Sequence, residues 1–408
     1  LLSPLVKTLY VNLVYTKCMA FLRAHSALAY LYATNFLFAL HSYIVAYVGS
    51  SFLAQFLPDN LIGLTYVAGA AVGLLSFAVF PHLLRHMSLR LAFLLVVVLE
   101  VLVFMGLTME QSTLVSLLLF IAYLVLYPLG FYCLDVLLER LTKVEHITGT
   151  LRGIMLTTMN AGLIVSPLLA GSLLVADVYN SVFLAGALIL VPVAALIVFG
   201  LPHTSAADTP RSRVPLLTSL SCVSKSRNVR RILSLHLLLH TFFAFMVIYM
   251  PLYLHEHIGF SWPDIGLMLA VALLPYVLIE FPAGRIADRY IGEKEMLILG
   301  FIIAAGAVTA MALTESTALV VWGGLLFMTR VGAALIESMS ETYFFKKVSA
   351  EDTHTISFFR MIQPVSYLVG PALGTAALFL ADFQALFLTL AGLLALGVVL
   401  GNQLIDTR

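Results

Sequence analysis

Four residues of one apolar stretch, Arg330, Ala334, Glu337 and Glu341, fall at i, i+4, i+7 and i+11, on one face of a single helix. Pro128, Tyr132, Asp135 and Glu139 make a corresponding face in an earlier stretch. A charge near a bilayer centre costs about 2.5–3.5 kcal/mol even on a lenient insertion scale, so such residues are either paired or functional. Glu139 and Glu341 are shallow, Asp135 and Glu337 intermediate, and Arg330 deep. Arg330 therefore faces either an anionic substrate group or a carboxylate such as Asp135 or Glu337. Glu100 and Glu280 stand alone in their helices and read as structural, protonated or paired with a loop arginine.

Histidines supply a second chemistry, because imidazole exchanges protons near neutral pH. His236, His240 and Phe243 share one helical face, and Thr34, Phe38 and His41 share another. The candidate substrate or proton cavity is thus Asn35, His41, Tyr132, Asp135, His240, Arg330 and Glu337, with hydrogen-bonded packing as the other reading of the histidines. His255-Glu256-His257 has two imidazoles one residue apart, either catching a metal or standing solvated; no metal site is expected. Tyr43, Tyr47, Tyr249 and Tyr253 fall toward the outer ends of two helices, as an interfacial aromatic belt or a lid over the substrate path.

The elements that must position these residues are membrane helices. Of the 408 residues, 61% are apolar and only 11% charged, against about half and about a quarter in soluble domains. A span needs roughly 20 mostly apolar residues, and twelve are expected, near 26–50, 61–82, 90–108, 113–139, 149–175, 181–200, 231–254, 263–284, 295–314, 318–345, 355–380 and 383–404. Runs such as Leu91–Val103 are continuously apolar instead of alternating, which excludes a β-barrel. Lys and Arg cluster in alternate connections, among them Arg85 and Arg90, Arg140 and Lys143, and Arg285, Arg289 and Lys294. The opposite turns, near Asp59, Glu110, Asp177, Glu256, Glu315 and Asp382, contain neither. By the positive-inside rule both termini are cytoplasmic, in a multi-pass protein of the cell (inner, cytoplasmic) membrane.

A net charge of +1 carries no message about nucleic acid. Cys18, Cys133 and Cys222 have no pairable spacing, so neither a disulfide framework nor a zinc site is implied. Met19 opens a short basic segment and is the expected native start.

Helix-breaking and polar features recur after about two hundred residues, the sign of a duplicated unit. Ile62-Gly63-Leu64 matches Ile265-Gly266-Leu267, Phe80-Pro81 matches Phe281-Pro282, Asp135 and Glu139 match Glu337 and Glu341, and Ser166-Pro167 matches Gly370-Pro371. The expected organisation is a cytoplasmic segment 1–25, a six-helix bundle 26–201, a polar linker 202–230, a second bundle 231–404 and a tail 405–408. Parallel repeats of this kind place the substrate site at the interface of the halves.

The stretch Gly284-Arg285-Ile286-Ala287-Asp288-Arg289-Tyr290-Ile291-Gly292-Glu293-Lys294 resembles the loop signature of the major facilitator superfamily, with one extra residue between Arg289 and Gly292. The equivalent stretch Pro81–Arg90 lacks the Asp and both glycines. Gly162, Ser166, Pro167, Ala170 and Gly171 resemble the helix 5 motif of that family's antiporters, and Gly370-Pro371 with Gly374 repeats part of it. This second motif reads either as a mark of export or as a packing kink. The resemblance implies an all-α protein of twelve transmembrane helices in two pseudo-symmetric six-helix bundles. It implies a cytoplasmic gate in which Asp288 meets the N-terminus of helix 5, Arg285 or Arg289 joins Glu341 and Arg360, and Arg85 joins Glu139 and Arg152, with Gly284 and Gly292 shaping the loop.

The expected function is secondary transport of a small molecule by alternating access, by a protein working as a monomer in the lipid bilayer without a cofactor. No phosphate-cradling loop or hydrolase motif is present, so neither ATP-driven transport nor an enzyme is expected. Proton-coupled efflux leads. A symporter or uniporter importing a small polar or anionic nutrient is the alternative, and a membrane receptor or scaffold the third reading.

Overall fold

The computed structural model describes residues 26–109, 112–141, 148–174, 177–201, 226–348 and 352–405. The expected start at Met19, the segment 1–25, most of the linker 202–230 and the side chain of Asp288 lie outside the described residues. Among the described residues, twelve helices are long and apolar enough to cross a membrane. We number them α1 (Ser26–Ala54), α2 (Asp59–Leu83), α3 (Leu89–Leu107), α4 (Thr113–Leu141), α5 (Thr148–Leu173), α6 (Asn180–Phe199), α7 (Arg227–Leu252), α8 (Trp262–Ile291), α9 (Glu293–Leu313), α10 (Leu319–Lys347), α11 (Thr353–Leu380) and α12 (Phe383–Asn402). The all-α, twelve-span expectation holds.

Local chemistry starts several of these helices where they start. Ser88, Ser226, Ser261, Asp352 and Asp382 each accept a hydrogen bond from a backbone amide of the first turn, satisfying a donor that the helix leaves open. Outward-facing side chains such as Leu75, Val79, Leu102, Leu114 and Leu380 are apolar and exposed, as a lipid-facing surface requires.

The stretch 284–294 is not the loop its sequence suggests. The backbone stays helical through Ile286 and continues as a π turn over Ala287–Ile291, where the Gly292 amide donates to the Ala287 carbonyl at 3.0 Å. A π turn absorbs one residue more than an α turn, which is where the extra residue of the signature goes. Gly292, at φ 105°, then reverses the chain, a conformation that side-chain-bearing residues rarely adopt. A second π turn, Tyr253–His257, ends α7.

Each half contains the same tight crossing. A side chain on Gly162 of α5 would strike Ala39 and the Leu40 amide of α1, and one on Gly370 of α11 would strike Ala244 of α7. Small residues allow such close approach in lipid. Between the halves, α2 packs on α11, α5 on α8, and the end of α1 on α7.

Candidate functional site

The tightest inter-half seams lie toward the end that carries no basic turns, hereafter the outer end. Gly171 of α5 meets the Trp262 carbonyl, Gly266 of α8 meets the Pro167 carbonyl, and Gly63 of α2 meets Tyr249, Pro371 and Thr375. Polar bonds close the same end. His257 Nε2 lies 2.9 Å from Asp59 Oδ2, and His255 Nε2 lies 2.9 Å from Asp177 Oδ1. The Trp262 indole also donates to Asp177 Oδ1 at 2.9 Å. Asp177 sits at φ 58°, the left-handed region that Asp tolerates better than most residues. Burial pushes the phenol of the neighbouring Tyr179 up, so it stays protonated beside Asp177 and Glu256. His255 and His257 are thus inter-half fasteners rather than a metal turn, and among the described residues no cluster of three or more metal-ligating groups occurs.

The inner end is built differently. Asp135, Glu341 and Arg360 carry charge on helices of both halves and are exposed. Arg360 of α11 is within electrostatic reach of both Asp135 of α4 and Glu341 of α10. Of the expected gate, Arg152 and Glu139 pair at 3.0 Å within the first half. Arg85, Arg285 and Arg289 are exposed, and no ion pair joins Arg289 to Glu341 among the described residues.

Between the two ends lies a cluster of tyrosines from both halves, hereafter the chamber. Tyr43 is within electrostatic reach of Tyr47, Tyr367 and Glu337, and Tyr276 within reach of Arg330, Glu337 and Tyr47. Tyr66 and Tyr127 extend the group toward Tyr367. Tyr43, Tyr127, Tyr276, Tyr367 and Glu337 are half-buried in mid-bundle. Arg330 is only 3% exposed, with its guanidinium carbon 5.3 Å from the Phe242 ring and 5.9 Å from the Phe243 ring. Cation–π contacts of this kind contribute about 0.5–2 kcal/mol and hold the charge without consuming it.

Other expected cavity residues lie elsewhere. Asn35 is buried and donates to the Met155 carbonyl (2.8 Å) and the Thr158 hydroxyl (2.9 Å), tying α1 to α5. His41 points away from the chamber toward Glu100 of α3, at 3.2 Å. His240 bonds His236 at 3.0 Å, and His236 stacks on Phe359 and meets Ser340. Tyr132 packs against Phe77 and Phe80 of α2. Three of the four tyrosines assigned to an interfacial belt turn inward: Tyr249 is fully buried and donates to the Pro371 carbonyl at 3.0 Å, while Tyr43 and Tyr47 face the chamber. Tyr66, Tyr127, Tyr276 and Tyr367 were not expected in the site. Their only signal was a tyrosine recurring in helices whose other inward residues are charged.

The helix 5 motif does structural work at both of its ends. Ser166 donates to the Gly162 carbonyl at 2.6 Å and touches the Leu40 carbonyl of α1 at 3.2 Å, while Pro167 and Gly171 receive α8.

Comparison with known proteins agrees with this architecture. The sequence profile described as Major Facilitator Superfamily matches residues 232–402. No curated protein matches the chain. Among solved structures, the nucleoside transporter NupG superposes with a TM-score of 0.72 at 12% identity, covering 94% of this chain and 98% of its own. A bacterial homologue of the human lysosomal transporter Spinster, described as inward-facing and unoccupied, gives 0.70 at 12% identity, covering 93% and 94%. The human organic anion transporter MFSD10 (TETRAN) gives 0.62 at 16% identity, covering 93% and 99%. The chain has the fold of the major facilitator superfamily of membrane transporters.

Proposed function

We propose that this protein is a secondary transporter working by alternating access, in its inward-open state here, and that it couples efflux of a small molecule to proton entry. The observation that carries the reading is the asymmetry of the two ends. Inter-half hydrogen bonds and glycine seams close the outer end, while Asp135, Glu341 and Arg360 are exposed at the inner end. A single rocking motion would break His257–Asp59 and His255–Asp177 and bring Asp135 and Arg360 together. Substrate and proton must then differ in affinity for the two states.

The chamber supports a substrate class. Phenol hydroxyls that donate and accept, aromatic faces and one guanidinium suit a planar or hydroxylated molecule bearing an anionic group. Arg330 also favours the second reading, import of such an anion by symport, because a fixed cation serves either direction. Working as a monomer and residence in the cell membrane belong to the same proposal.

Reconstitution in liposomes, with a pH-sensitive dye inside and a panel of organic anions, nucleosides and amines outside, tests it. Substrate-dependent proton movement that is lost in Glu337→Gln supports the reading. Flux indifferent to the pH gradient contradicts it.

A further inference from the structure

Glu100 and His41 form an isolated acid–base pair in the core of the first half. Both side chains are fully buried. His41 Nδ1 lies 2.6 Å from the Phe38 carbonyl, which can only accept, so Nδ1 carries a hydrogen in every state of the ring. Ser42 gives its own hydroxyl proton to the same carbonyl at 2.8 Å and turns a lone pair toward Nδ1 at 3.3 Å. The tautomer is thereby fixed, and Nε2 faces the carboxyl of Glu100 at 3.2 Å. Neither Glu100 oxygen makes a well-formed hydrogen bond, and the Nε2 contact, though close, is off-line.

With Nδ1–H fixed and Glu100 ionised, two lone pairs would oppose each other beside an uncompensated charge. A proton between Nε2 and Oε2 removes both penalties, as carboxylic acid with imidazole or as carboxylate with imidazolium. The pair is neutral with that proton and carries one negative charge without it. The walls offer little else to compensate: Phe38 and Phe104 flank the imidazole at 4.6 and 5.8 Å. Tyr123 of α4 is the titratable neighbour of Glu100 from that helix, and α6 brings no titratable side chain at all.

The same pair is connected to the chamber. The Tyr123 hydroxyl donates to the Ser42 carbonyl at 2.7 Å, and its ring lies 5.2 Å from that of Tyr127, one turn on. Tyr127 is within electrostatic reach of Tyr43. Tyr43 follows His41 by two residues on α1, so it projects from roughly the opposite side of the helix. One helix thus carries His41 on its core side and Tyr43 on its chamber side.

We propose that His41 and Glu100 are the proton-binding site of the transport cycle, holding one exchangeable proton between Nε2 and Oε2. The proton leaves to water when α1 shifts and admits it, giving a carboxylate and hydronium, and it returns from water on the opposite side. This rests on the proton-coupled reading above, and it moves the coupling site from the inter-half charges into the first bundle.

The test uses purified full-length protein and no substrate. Infrared spectra across mildly acidic to mildly alkaline buffer should contain a carboxylic-acid carbonyl stretch that titrates, shifts in heavy water, disappears in Glu100→Gln and changes its titration range in His41→Asn. In parallel, spin labels on Val178→Cys and Glu315→Cys, with the three native cysteines replaced, report the outer-end distance. The wild-type distribution should shift several-fold in population with pH, and Glu100→Gln should stay at the wild-type acidic distribution. A spectrum unchanged by Glu100→Gln, or a distribution in that variant that still follows pH as the wild type does, overturns the site while leaving proton coupling intact. A wild type with no titrating carboxyl and no pH-dependent distance overturns both.

Discussion

His257 Nε2 and Asp59 Oδ2 lie 2.9 Å apart across the seam between the two halves, and with His255–Asp177 they fasten the outer end. Both pairs are partly exposed, so each contributes about 0.2–1 kcal/mol. Asp59→Asn combined with His255→Ala should lower the ratio of outer-closed to outer-open molecules about two- to thirtyfold at equilibrium. Single-molecule fluorescence across the outer end reads this directly; an unchanged distribution would mean that the fasteners are ornamental.

The glycine seam should be the stronger determinant. A β-carbon at position 266 meets the Pro167 carbonyl, and one at 171 meets the Trp262 carbonyl at 2.6 Å and Pro263 Cα at 3.2 Å. Backbone cannot yield as a flexible side chain does, and overpacking costs about 1–3 kcal/mol. Gly266→Val should therefore open the outer end more than loss of either ion pair does. Rates of cysteine modification at the outer seam provide the measurement.

Arg330 packs against the Phe242 and Phe243 rings beside Tyr276, at the edge of the chamber. Arg330→Met should reduce binding of anionic members of a substrate panel by about tenfold or more, equivalent to about 1.4 kcal/mol, with a smaller effect on neutral ones. Ligand-induced thermal shifts separate this from misfolding, since apo stability should change much less than the ligand response.

Asp135 and Arg360 are exposed and on opposite halves in this state. Asp135→Asn and Arg360→Gln should each disfavour the outward-open state, and a double-mutant cycle should show coupling of about 0.5–3 kcal/mol there. The exchange Asp135→Arg with Arg360→Asp should restore much of the loss.

A fifth expectation concerns stability alone. Asn35→Ala removes two hydrogen bonds between α1 and α5, one buried and one partly buried. Unfolding in mild detergent should show a loss of about 1–2 kcal/mol, with the pH response of the protein unchanged.

Much of the fold was legible because lipid demands unbroken apolar helices, and the repeat of Gly63 in Gly266 marked the duplication, though not the seams that these glycines form. That Arg330 and Glu337 both come within reach of Tyr276 is consistent with the common face given by helical period. Orientation about the helix axis did not. His41 and Asn35 share α1 with Tyr43 but face α3 and α5, and nothing in their spacing distinguishes a neighbour in the same half from a cavity. Glu100 looked solitary because its partner lies on another helix. The outer fasteners were hidden for the same reason: His255 and His257 acquire meaning only when Asp177 and Asp59 are brought opposite them. The stretch 284–294 misled in another way, since a charged, glycine-bounded segment can be a helix end as well as a loop.

Distances at both ends of the same molecule test alternating access most directly. Spin labels at Val178 and Glu315 report the outer end, and labels at His86 and Lys347 report the inner end; all four positions are exposed. When Asp59→Asn and His255→Ala are introduced, the outer distance should lengthen and the inner distance shorten in matched proportion. If the outer end opens while the inner distance stays the same, or if both ends lengthen together, the two ends are not alternately closed and the proposed transport cycle is wrong.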